Sequence, residues 1–405
     1  MHKLIIIGSG PAGLMAAIAA GRAMGSAQGK ILLLEGNPAC GAKLLLSGSG
    51  QCNYTNNLPT DDFLARCNEY ANYLKPSFYA FNNQAFLRLL QESGVDSLIR
   101  SDHKVFPASL QASEVREALL KQALAAGADV RYNALVSSVA KQADSSFRLT
   151  LNSGKTLECE KLIIATGGAS YPQTGSDGIA LRLAKALGHK PIPFRPHLTN
   201  VALDSFDRFK ACAGVSLSDV EIRVTGEHHK FKVRGDLLFT HNGLSGPVIL
   251  DNSYRLEKED LISVSYLNNA QSLFNDLQKT AGNHSVINAL KATGLPARLL
   301  QTLCEINCIP THIPFRDLPQ NMRKGLMAIL TYWPFKISSL GNMGVAMASA
   351  GGVPLPEVNA KTMASRVCPG LFFAGEILDY ALPTGGFNIQ IAASTGWLAG
   401  SSVVK

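Results

Sequence analysis

The sequence predicts an α/β protein in which the two chain ends together form one domain and the middle of the chain is inserted into it. Residues 1–35 read as strand, glycine turn, helix and strand, which is one βαβ unit. Residues 370–405 read as a buried strand, a glycine turn and a final helix. Between them, Pro191, Pro193 and Pro196 follow one another closely and mark an exit from the first domain.

The N-terminal part of this domain continues as an α/β unit beyond the first βαβ motif. Its predicted elements are two helices, a strand and a β meander, at residues 82–93, 113–126, 129–132 and 147–164. The meander returns to a buried strand. We therefore assign residues 1–190 and 336–405 to one discontinuous domain.

The inserted part of the chain has two different patterns. Short β-rich stretches, such as residues 220–224 and 261–266, predict a β-rich inserted domain over residues 191–268. Residues 269–335 read as helical segments interrupted by Gly294 and several prolines, which predicts a small helical subdomain.

Composition excludes several classes of protein. No apolar run in the 405 residues reaches the roughly 18 residues that a membrane-spanning helix needs, and glycines interrupt the apolar N-terminus, so we expect a cytoplasmic protein without a membrane partner. The eight cysteines are scattered without ligand spacing, which predicts neither a metal site nor a disulfide framework. The net charge of +8 is spread along the chain. It fits general solubility as well as a polyanionic partner; we expect no DNA partner.

The strongest local motif is Gly8-Ser9-Gly10-Pro11-Ala12-Gly13, which lies between the first strand and the first helix. Gly8 permits a tight turn, Gly10 lets the backbone approach a pyrophosphate, and Gly13 lets helix and strand pack closely. Glu35 ends the next strand, where its carboxylate can accept from ribose hydroxyls and disfavours a 2′-phosphate. The motif predicts a Rossmann-like domain that binds an adenine dinucleotide through Gly8, Gly10, Pro11, Ala12, Gly13, Glu35 and Gly36.

Two later segments decide between FAD and NAD. A hydrophobic strand ends in Ala165-Thr166-Gly167, which resembles the return-strand motif of FAD enzymes of the glutathione reductase superfamily. Gly375-Glu376 resembles that superfamily's C-terminal motif, in which the acidic side chain reaches the ribityl or pyrophosphate region. Together they imply FAD. No second GxGxxG has strand and helix context, so an external reductant such as NAD(P)H must use the substrate side or come from a partner.

A glycine pair precedes the last predicted helix. In the segment 383–388, Gly385 and Gly386 let backbone come close to a planar ring, and the helix N-terminus presents N–H groups to developing negative charge. That arrangement suits the N1 and O2 edge of a reduced flavin, and the alternative is a turn before a packing helix. The predicted flavin contacts of this region are Gly385, Gly386, Phe387, Asn388 and Ile389.

The glycine-rich segment 41–56 follows the strand that ends at Glu35 and is the other predicted ligand loop. Lys43 can pair with a phosphate or substrate, and Cys52 is a candidate proton donor or thiolate near the flavin, with a small buried side chain as the alternative. His241 is a candidate for the substrate side, although structuring of its loop explains it equally well. The predicted cofactor contacts of the segment are Lys43, Ser47, Gly48, Cys52 and Asn53; Cys52, Asn53 and His241 are the catalytic candidates.

Four segments carry a family resemblance over essentially the whole chain. They are KLLLSGSGQCNYTN at 43–56, GDLLFTHNGLSGPVILDNS at 235–253, SAGGVPLPEV at 349–358 and GLFFAGEILDYALPTGGFNIQIAASTGWLAG at 370–400. The combination resembles the BaiN/RdsA family of FAD-dependent oxidoreductases, also known as the aminoacetone oxidase family. The chain departs from the family pattern at Gln51, where an arginine is expected, at Ser49, where a glycine is expected, and at residues 380–383.

The resemblance implies an FAD domain made from both chain ends and a reductase that passes hydride from flavin N5 to an unsaturated substrate. Some members of the family act on uridine of 23S ribosomal RNA and others on bile-acid steroids, so a small molecule and ribosomal RNA both remain candidate substrates. One alternative is a flavin amine oxidase of the aminoacetone type. Another is a flavin redox sensor or assembly factor without turnover. The sequence does not predict the oligomeric state.

Overall fold

A computed structural model describes residues 1–25, 29–267 and 270–404. It divides the chain into two compact units, residues 1–197 with 343–405, and residues 198–342. We describe each unit by itself.

The first part of the chain belongs to the first unit. Its strands are β1 (His2–Ile7), β2 (Ile31–Leu34), β3 (Thr55–Asn56), β4 (Ser97–Ile99), β5 (Lys104–Pro107), β6 (Ala128–Arg131), β7 (Val136–Lys141), β8 (Phe147–Leu151), β9 (Thr156–Ile164) and β10 (Ile192–His197). Its helices are α1 (Pro11–Met24), α2 (Ala42–Leu46), α3 (Thr60–Ala65), α4 (Ala71–Ala80), α5 (Asn83–Gln91), α6 (Ala112–Ala125) and α7 (Ile179–Ala186).

The second unit and the C-terminal return follow in order. The second unit contains β11 (Val201–Leu203), β12 (Ser216–Thr225), β13 (Lys230–Phe239), β14 (Gly243–Ser245), β15 (Leu261–Ser265) and β16 (Trp333–Leu340), with helices α8 (Pro247–Leu250), α9 (Ala270–Thr280), α10 (Val286–Leu290), α11 (Ala297–Ile306) and α12 (Gln320–Thr331). The first unit then resumes with β17 (Ala348–Gly352), β18 (Leu371–Phe373) and α13 (Phe387–Ser402).

The first unit is built on a seven-stranded sheet in the order β6-β2-β1-β9-β8-β7, with β18 also paired to β9. β1 lies parallel between β2 and β9, and β18 is parallel to β9. The four residues of β2 and the last four of β1 are buried, as expected for strands covered on both faces. Both chain ends therefore contribute strands to one sheet.

Small residues bring the two chain ends together. A Cβ on Gly396 of α13 would lie 2.1 Å from the Ala12 carbonyl oxygen of α1, and one on Gly400 would lie 2.2 Å from that of Ala16. Only glycine permits this backbone contact, because a real Cβ never approaches an oxygen so closely. The N-terminal and C-terminal helices thus pack directly against each other beside the sheet.

The second unit is a closed barrel with helices attached. Its strands follow the order β11-β14-β13-β12-β15-β16 around the barrel. Residues of the barrel and of helices α9 to α12, such as Ile222 and Leu303, belong to a single hydrophobic core. The predicted β-rich and helical inserts therefore share one core within the described residues.

The unit boundaries differ from those that the sequence predicts. β16 pairs with β15 and β11 and closes the barrel, so the second unit extends to residue 342 instead of 335. β10 pairs with β17, which keeps residues 191–197 in the first unit. Both differences arise from strand pairs between segments distant in sequence. None of the helices described is long and apolar enough to cross a membrane.

Candidate functional site

A cavity lies at the carboxyl ends of the parallel strands of the first unit. Ile7 ends β1, Leu34 ends β2, and Ala165 and Gly375 follow β9 and β18; all four residues line the cavity. It encloses about 1140 Å³ of empty space, part of it open to solvent. Ligands of open α/β sheets bind at this edge.

The predicted glycine turn forms one wall of the cavity. Gly8 has φ +97°, and a Cβ there would lie 2.5 Å from the Ala165 carbonyl oxygen, so the turn packs against the end of β9. A Cβ on Gly13 would lie 1.8 Å from the Gly8 carbonyl oxygen, whereas one on Gly10 would meet no atom within 4 Å. Gly8 and Gly13 are therefore required by packing, and Gly10 leaves open space at the N-terminus of α1. That helix end attracts a pyrophosphate.

Glu35 is held at the same wall by four donors. Ser9 donates from its backbone N–H at 3.1 Å and from its hydroxyl at 2.5 Å to Oε2. Asn37 donates from its backbone N–H and from its side-chain amide to Oε1, both at 2.9 Å. A carboxylate offers about four acceptor positions, so these bonds fix its orientation. Ribose hydroxyls that bind this carboxylate would replace the two side-chain donors, those of Ser9 and Asn37.

We expect Glu35→Gln to lower the affinity for FAD by about 10-fold to 100-fold, because an amide at this position keeps only one acceptor atom for ribose hydroxyls and for Ser9. Equilibrium dialysis or fluorescence titration of apoprotein with FAD measures the change. Glu357→Gln, which alters a half-buried carboxylate that hydrogen-bonds His189, is the matched control. Unchanged FAD affinity in Glu35→Gln would remove the ribose assignment.

The cavity is also lined by residues that the sequence analysis missed. Asn37 and residues 174–177 line the cavity, and the Asn37 amide donates to the Thr174 carbonyl oxygen at 2.9 Å. The hydroxyl oxygens of Thr166 and Ser176 are buried and have no hydrogen-bond partner among the described residues. Buried polar groups normally find partners, so both hydroxyls fit contacts to a bound ligand. The sequence did contain one signal for this part of the cavity, the two glycines in Thr174-Gly-Ser-Asp-Gly178, which indicate a loop that a ligand can approach.

Lys43 and Glu376 meet inside the cavity although 333 residues separate them. The Lys43 ammonium contacts Glu376 Oε2 at 2.6 Å and also donates to the Ser170 hydroxyl. Glu376 Oε1 accepts from the Ser349 backbone N–H at 2.6 Å. Both charged side chains line the cavity and are partly exposed. The pair therefore presents one cation and one carboxylate to any ligand there.

The loop that follows Lys43 is stabilised by internal contacts and does not line this cavity. The Ser47 hydroxyl donates to the Leu44 carbonyl oxygen at 2.6 Å, and Gly48 lies in the left-handed region at φ +57°. The Asn53 amide donates to the carbonyl oxygens of Thr55 and Val105, both at 2.9 Å. The geometry thus shows local structural roles for Ser47, Gly48 and Asn53, and their assignment to the cofactor remains a prediction.

Cys52 is a buried thiol. It is fully buried at φ +59°, and burial raises the pKa of its thiol to about 12, opposed by a hydrogen bond with Ser47. The side chain therefore keeps its proton at neutral pH, which argues against the thiolate interpretation. The predicted role as a proton donor requires the protonated form and remains open.

The glycine loop before α13 packs on β3. A Cβ on Gly386 would lie 2.3 Å from the Thr55 carbonyl oxygen, and the Asn56 amide donates to the Gly385 carbonyl oxygen at 3.0 Å. The Asn388 amide donates to the carbonyl oxygens of residues 382 and 383 and ties the loop to the start of the helix. This geometry places a backbone turn, free of side chains at two positions, directly before the N-terminus of α13.

Two of the predicted contacts in this loop have packing roles. The ring of Phe387 is buried and its centroid lies 4.7 Å from that of Phe63, and Ile389 packs against the core of the first unit. His241 lies in the second unit, exposed in the turn between β13 and β14. His241 therefore remains a prediction.

Comparison with known proteins identifies the family. The model of the HI0933-like protein Rossmann domain matches residues 2–402. The chain belongs to the HI0933-like family. It is 30% identical over 404 residues to a ribosomal RNA dihydrouridine synthase of Escherichia coli (strain K12), covering 99% of this chain and 97% of that protein. It is 28% identical over 419 residues to a 3-dehydro-bile acid delta(4,6)-reductase of Clostridium scindens, covering 100% of both.

Solved structures support the same fold at low sequence identity. The 3-ketosteroid-delta4-(5alpha)-dehydrogenase from Rhodococcus jostii RHA1 matches with a TM-score of 0.52 and 14% identity over 100% of this chain and 96% of that chain. Family membership confirms the predicted resemblance, the Rossmann-like α/β fold and the assignment to FAD-dependent oxidoreductases.

The residues of the cavity fit FAD. The open helix end at Gly10, the oriented Glu35 carboxylate and the two buried hydroxyls without partners offer the donors and acceptors that a dinucleotide needs. Of the predicted cofactor contacts, those that line the cavity are Gly8, Gly10, Pro11, Ala12, Glu35, Gly36, Lys43, Ala165, Thr166, Gly167, Gly375 and Glu376. Those outside it are Gly13, Ser47, Gly48, Cys52, Asn53 and the five residues 385–389.

Proposed function

We propose that this FAD-dependent oxidoreductase reduces uridine of 23S ribosomal RNA to dihydrouridine, with NAD(P)H as external reductant. The observation that carries the proposal is the end-to-end similarity to proteins named ribosomal RNA dihydrouridine synthase, at 30% identity in Escherichia coli and 27% in Haemophilus influenzae. The bile acid relative is also named a reductase, which favours transfer of electrons to a substrate over an oxidase.

The reaction adds one hydride and one proton across the C5–C6 double bond of the uracil ring. Bound FAD supplies the hydride after its own reduction. The protein binds and orients the reactants. The glycine turn at Gly10 and the N-terminus of α1 hold the pyrophosphate, Glu35 holds the ribose, and the Lys43–Glu376 pair contacts the adjoining part of the cofactor. The turn at Gly385 and Gly386 presents the N-terminus of α13 to negative charge on the reduced ring.

The proton donor is tested through Cys52, whose pKa of about 12 keeps the thiol protonated. Loss of a general acid lowers the rate by about 100-fold or more, so Cys52→Ala in a proton-donor role gives that loss at unchanged FAD content. If Cys52 only packs in the core, Cys52→Ala instead lowers the melting temperature with little change in rate. Measuring both quantities on the same preparation distinguishes the roles.

The experiment that tests the proposed function uses the purified protein with FAD, reduced anaerobically and mixed with 23S ribosomal RNA that lacks dihydrouridine. We expect reoxidation of the flavin and one new dihydrouridine by mass spectrometry; fully modified 23S ribosomal RNA is the control and should leave the flavin reduced. Bleaching of the oxidised flavin by aminoacetone, with inert RNA, would establish the amine oxidase instead. A reduced flavin that no candidate substrate reoxidises would establish a redox sensor.

A further inference from the structure

Arg100 directly follows β4 and is exposed to solvent. The Arg100 guanidinium donates to Gln51 Oε1 at 2.8 Å and lies 3.9 Å above the centroid of the Phe106 ring. We propose that Arg100 binds a backbone phosphate of the substrate RNA. The proposal rests on the proposed function, because it names how that substrate is held.

The geometry prepares this guanidinium for an anion. The contact with the Phe106 ring and the hydrogen bond to Gln51 hold the guanidinium at two points. Phe106 is 4% exposed, so it forms a rigid base, whereas Arg100 is exposed to solvent. A planar guanidinium held in this way retains donors for the bidentate recognition of phosphate.

The charge of Arg100 is not neutralised within the described part of the chain. No carboxylate among the described residues pairs with it, and the neighbouring Asp102 pairs with Lys104 instead, at 2.8 Å. Arg148 of the same unit, by contrast, pairs with Glu158 at 2.9 Å. An arginine that is oriented but unpaired is available to an external anion.

Arg100 contacts the segment that joins the two parts of the cofactor site. Residues 43–55 begin at Lys43 in the cavity and end at Thr55, whose carbonyl oxygen meets the Gly386 turn. Gln51, the partner of Arg100, lies within this segment. Arg100 therefore places a guanidinium beside this segment, from the residue immediately after β4.

The surroundings favour a polyanion over a small anion. The β4–β5 hairpin that contains Arg100 also contains His103 and the ion pair of Lys104 with Asp102. The second unit has nearly equal numbers of basic and acidic residues, so most of the excess positive charge of the chain belongs to the first unit. Phosphates repeated along an RNA strand exploit such a distribution, and each contact releases counterions.

The test compares Arg100→Gln with Arg148→Gln, which removes a paired and exposed arginine of the same unit. Affinity for a fragment of unmodified 23S ribosomal RNA is measured between 50 and about 300 mM KCl. We expect Arg100→Gln to weaken binding by about 10-fold and to reduce the slope of log K against log salt by about one, with Arg100→Lys in between. Arg148→Gln should match the wild type, and all variants should keep the same FAD content.

The outcomes separate this inference from the proposed function. Unchanged affinity and slope in Arg100→Gln, with dihydrouridine still formed by the wild type, would overturn the role of Arg100 alone. A loss of affinity in Arg100→Gln from a protein that forms no dihydrouridine would support the phosphate contact and reject the reaction. Absence of RNA binding by the wild type would overturn both.

Discussion

Gly10→Ala is expected to leave the stability of the apoprotein unchanged and to reduce FAD affinity by about 100-fold, whereas Gly13→Ala destabilises the protein itself. A Cβ on Gly10 meets no protein atom within 4 Å and projects into the space at the N-terminus of α1, where we propose that the pyrophosphate binds. A Cβ on Gly13 lies 1.8 Å from the Gly8 carbonyl oxygen, so helix and turn must separate. Overpacking of this kind costs about 1–3 kcal/mol or more.

Thermal unfolding of apoprotein and titration with FAD measure the two effects separately. Gly325→Ala, in α12 of the second unit, is the matched control: its Cβ also meets no atom within 4 Å and its φ is not positive, so FAD affinity should stay unchanged. Full FAD affinity in Gly10→Ala would show that the pyrophosphate does not lie at this helix end.

Local patterns predicted the part of the site that lies within short sequence distance. The turn at residues 8–13 joins adjacent elements, so glycine positions and hydrophobic strands sufficed to place it. Glu35, directly after β2, was predicted from the same βαβ unit. These features predicted a Rossmann-like fold and an adenine dinucleotide, and the segments at Ala165–Gly167 and Gly375–Glu376 then indicated FAD; family membership confirms both the fold and the FAD-dependent class.

Contacts between distant segments could not be predicted in this way. Lys43 and Glu376 belong to opposite ends of the chain, and only the pairing of β18 with β9 brings them together. The contact of Asn37 with Thr174 depends likewise on the folded sheet. Hydrophobic periodicity assigns a residue to a helix or strand, but it contains no information about which distant segment packs beside it and lines the cavity.

The loop at residues 47–53 shows a second limit. Its glycines suggest close approach to a ligand, yet Gly48 and Gly50 have φ +57° and +87°, which explains glycine by backbone conformation alone. Ser49 and Cys52 adopt similar φ values without being glycine, so the loop is strained at two positions. Strain of this kind accumulates at functional sites, and a ligand contact at the loop remains a prediction.

His197 is expected to make the first unit less stable in acid. Its Nε2 hydrogen-bonds the Leu382 carbonyl oxygen at 2.8 Å, at the start of the glycine loop before α13. Burial lowers the pKa of His197 from 6.5 to about 4; Glu376 raises the pKa and Arg195 lowers it further. Below pH 6.5, His197 takes up a proton in the unfolded chain but stays neutral in the folded protein until the pH approaches 4. The stabilisation is complete above pH 6.5 and is lost as the pH falls towards 4, by about 3 kcal/mol.

Urea unfolding of the FAD-loaded protein at pH 7.5, 6 and 5 measures this loss, and His197→Gln isolates it from the titration of carboxylates. The glutamine amide can donate to the same carbonyl oxygen, so we expect a cost of about 1 kcal/mol at pH 7.5 and a shallower decline in acid. His228→Gln, which replaces an exposed histidine of the second unit, should follow the wild type. Equal declines in wild type and His197→Gln would show that the pKa of His197 is not lowered in the folded protein, and its role as a neutral donor to the Leu382 carbonyl oxygen would then be wrong.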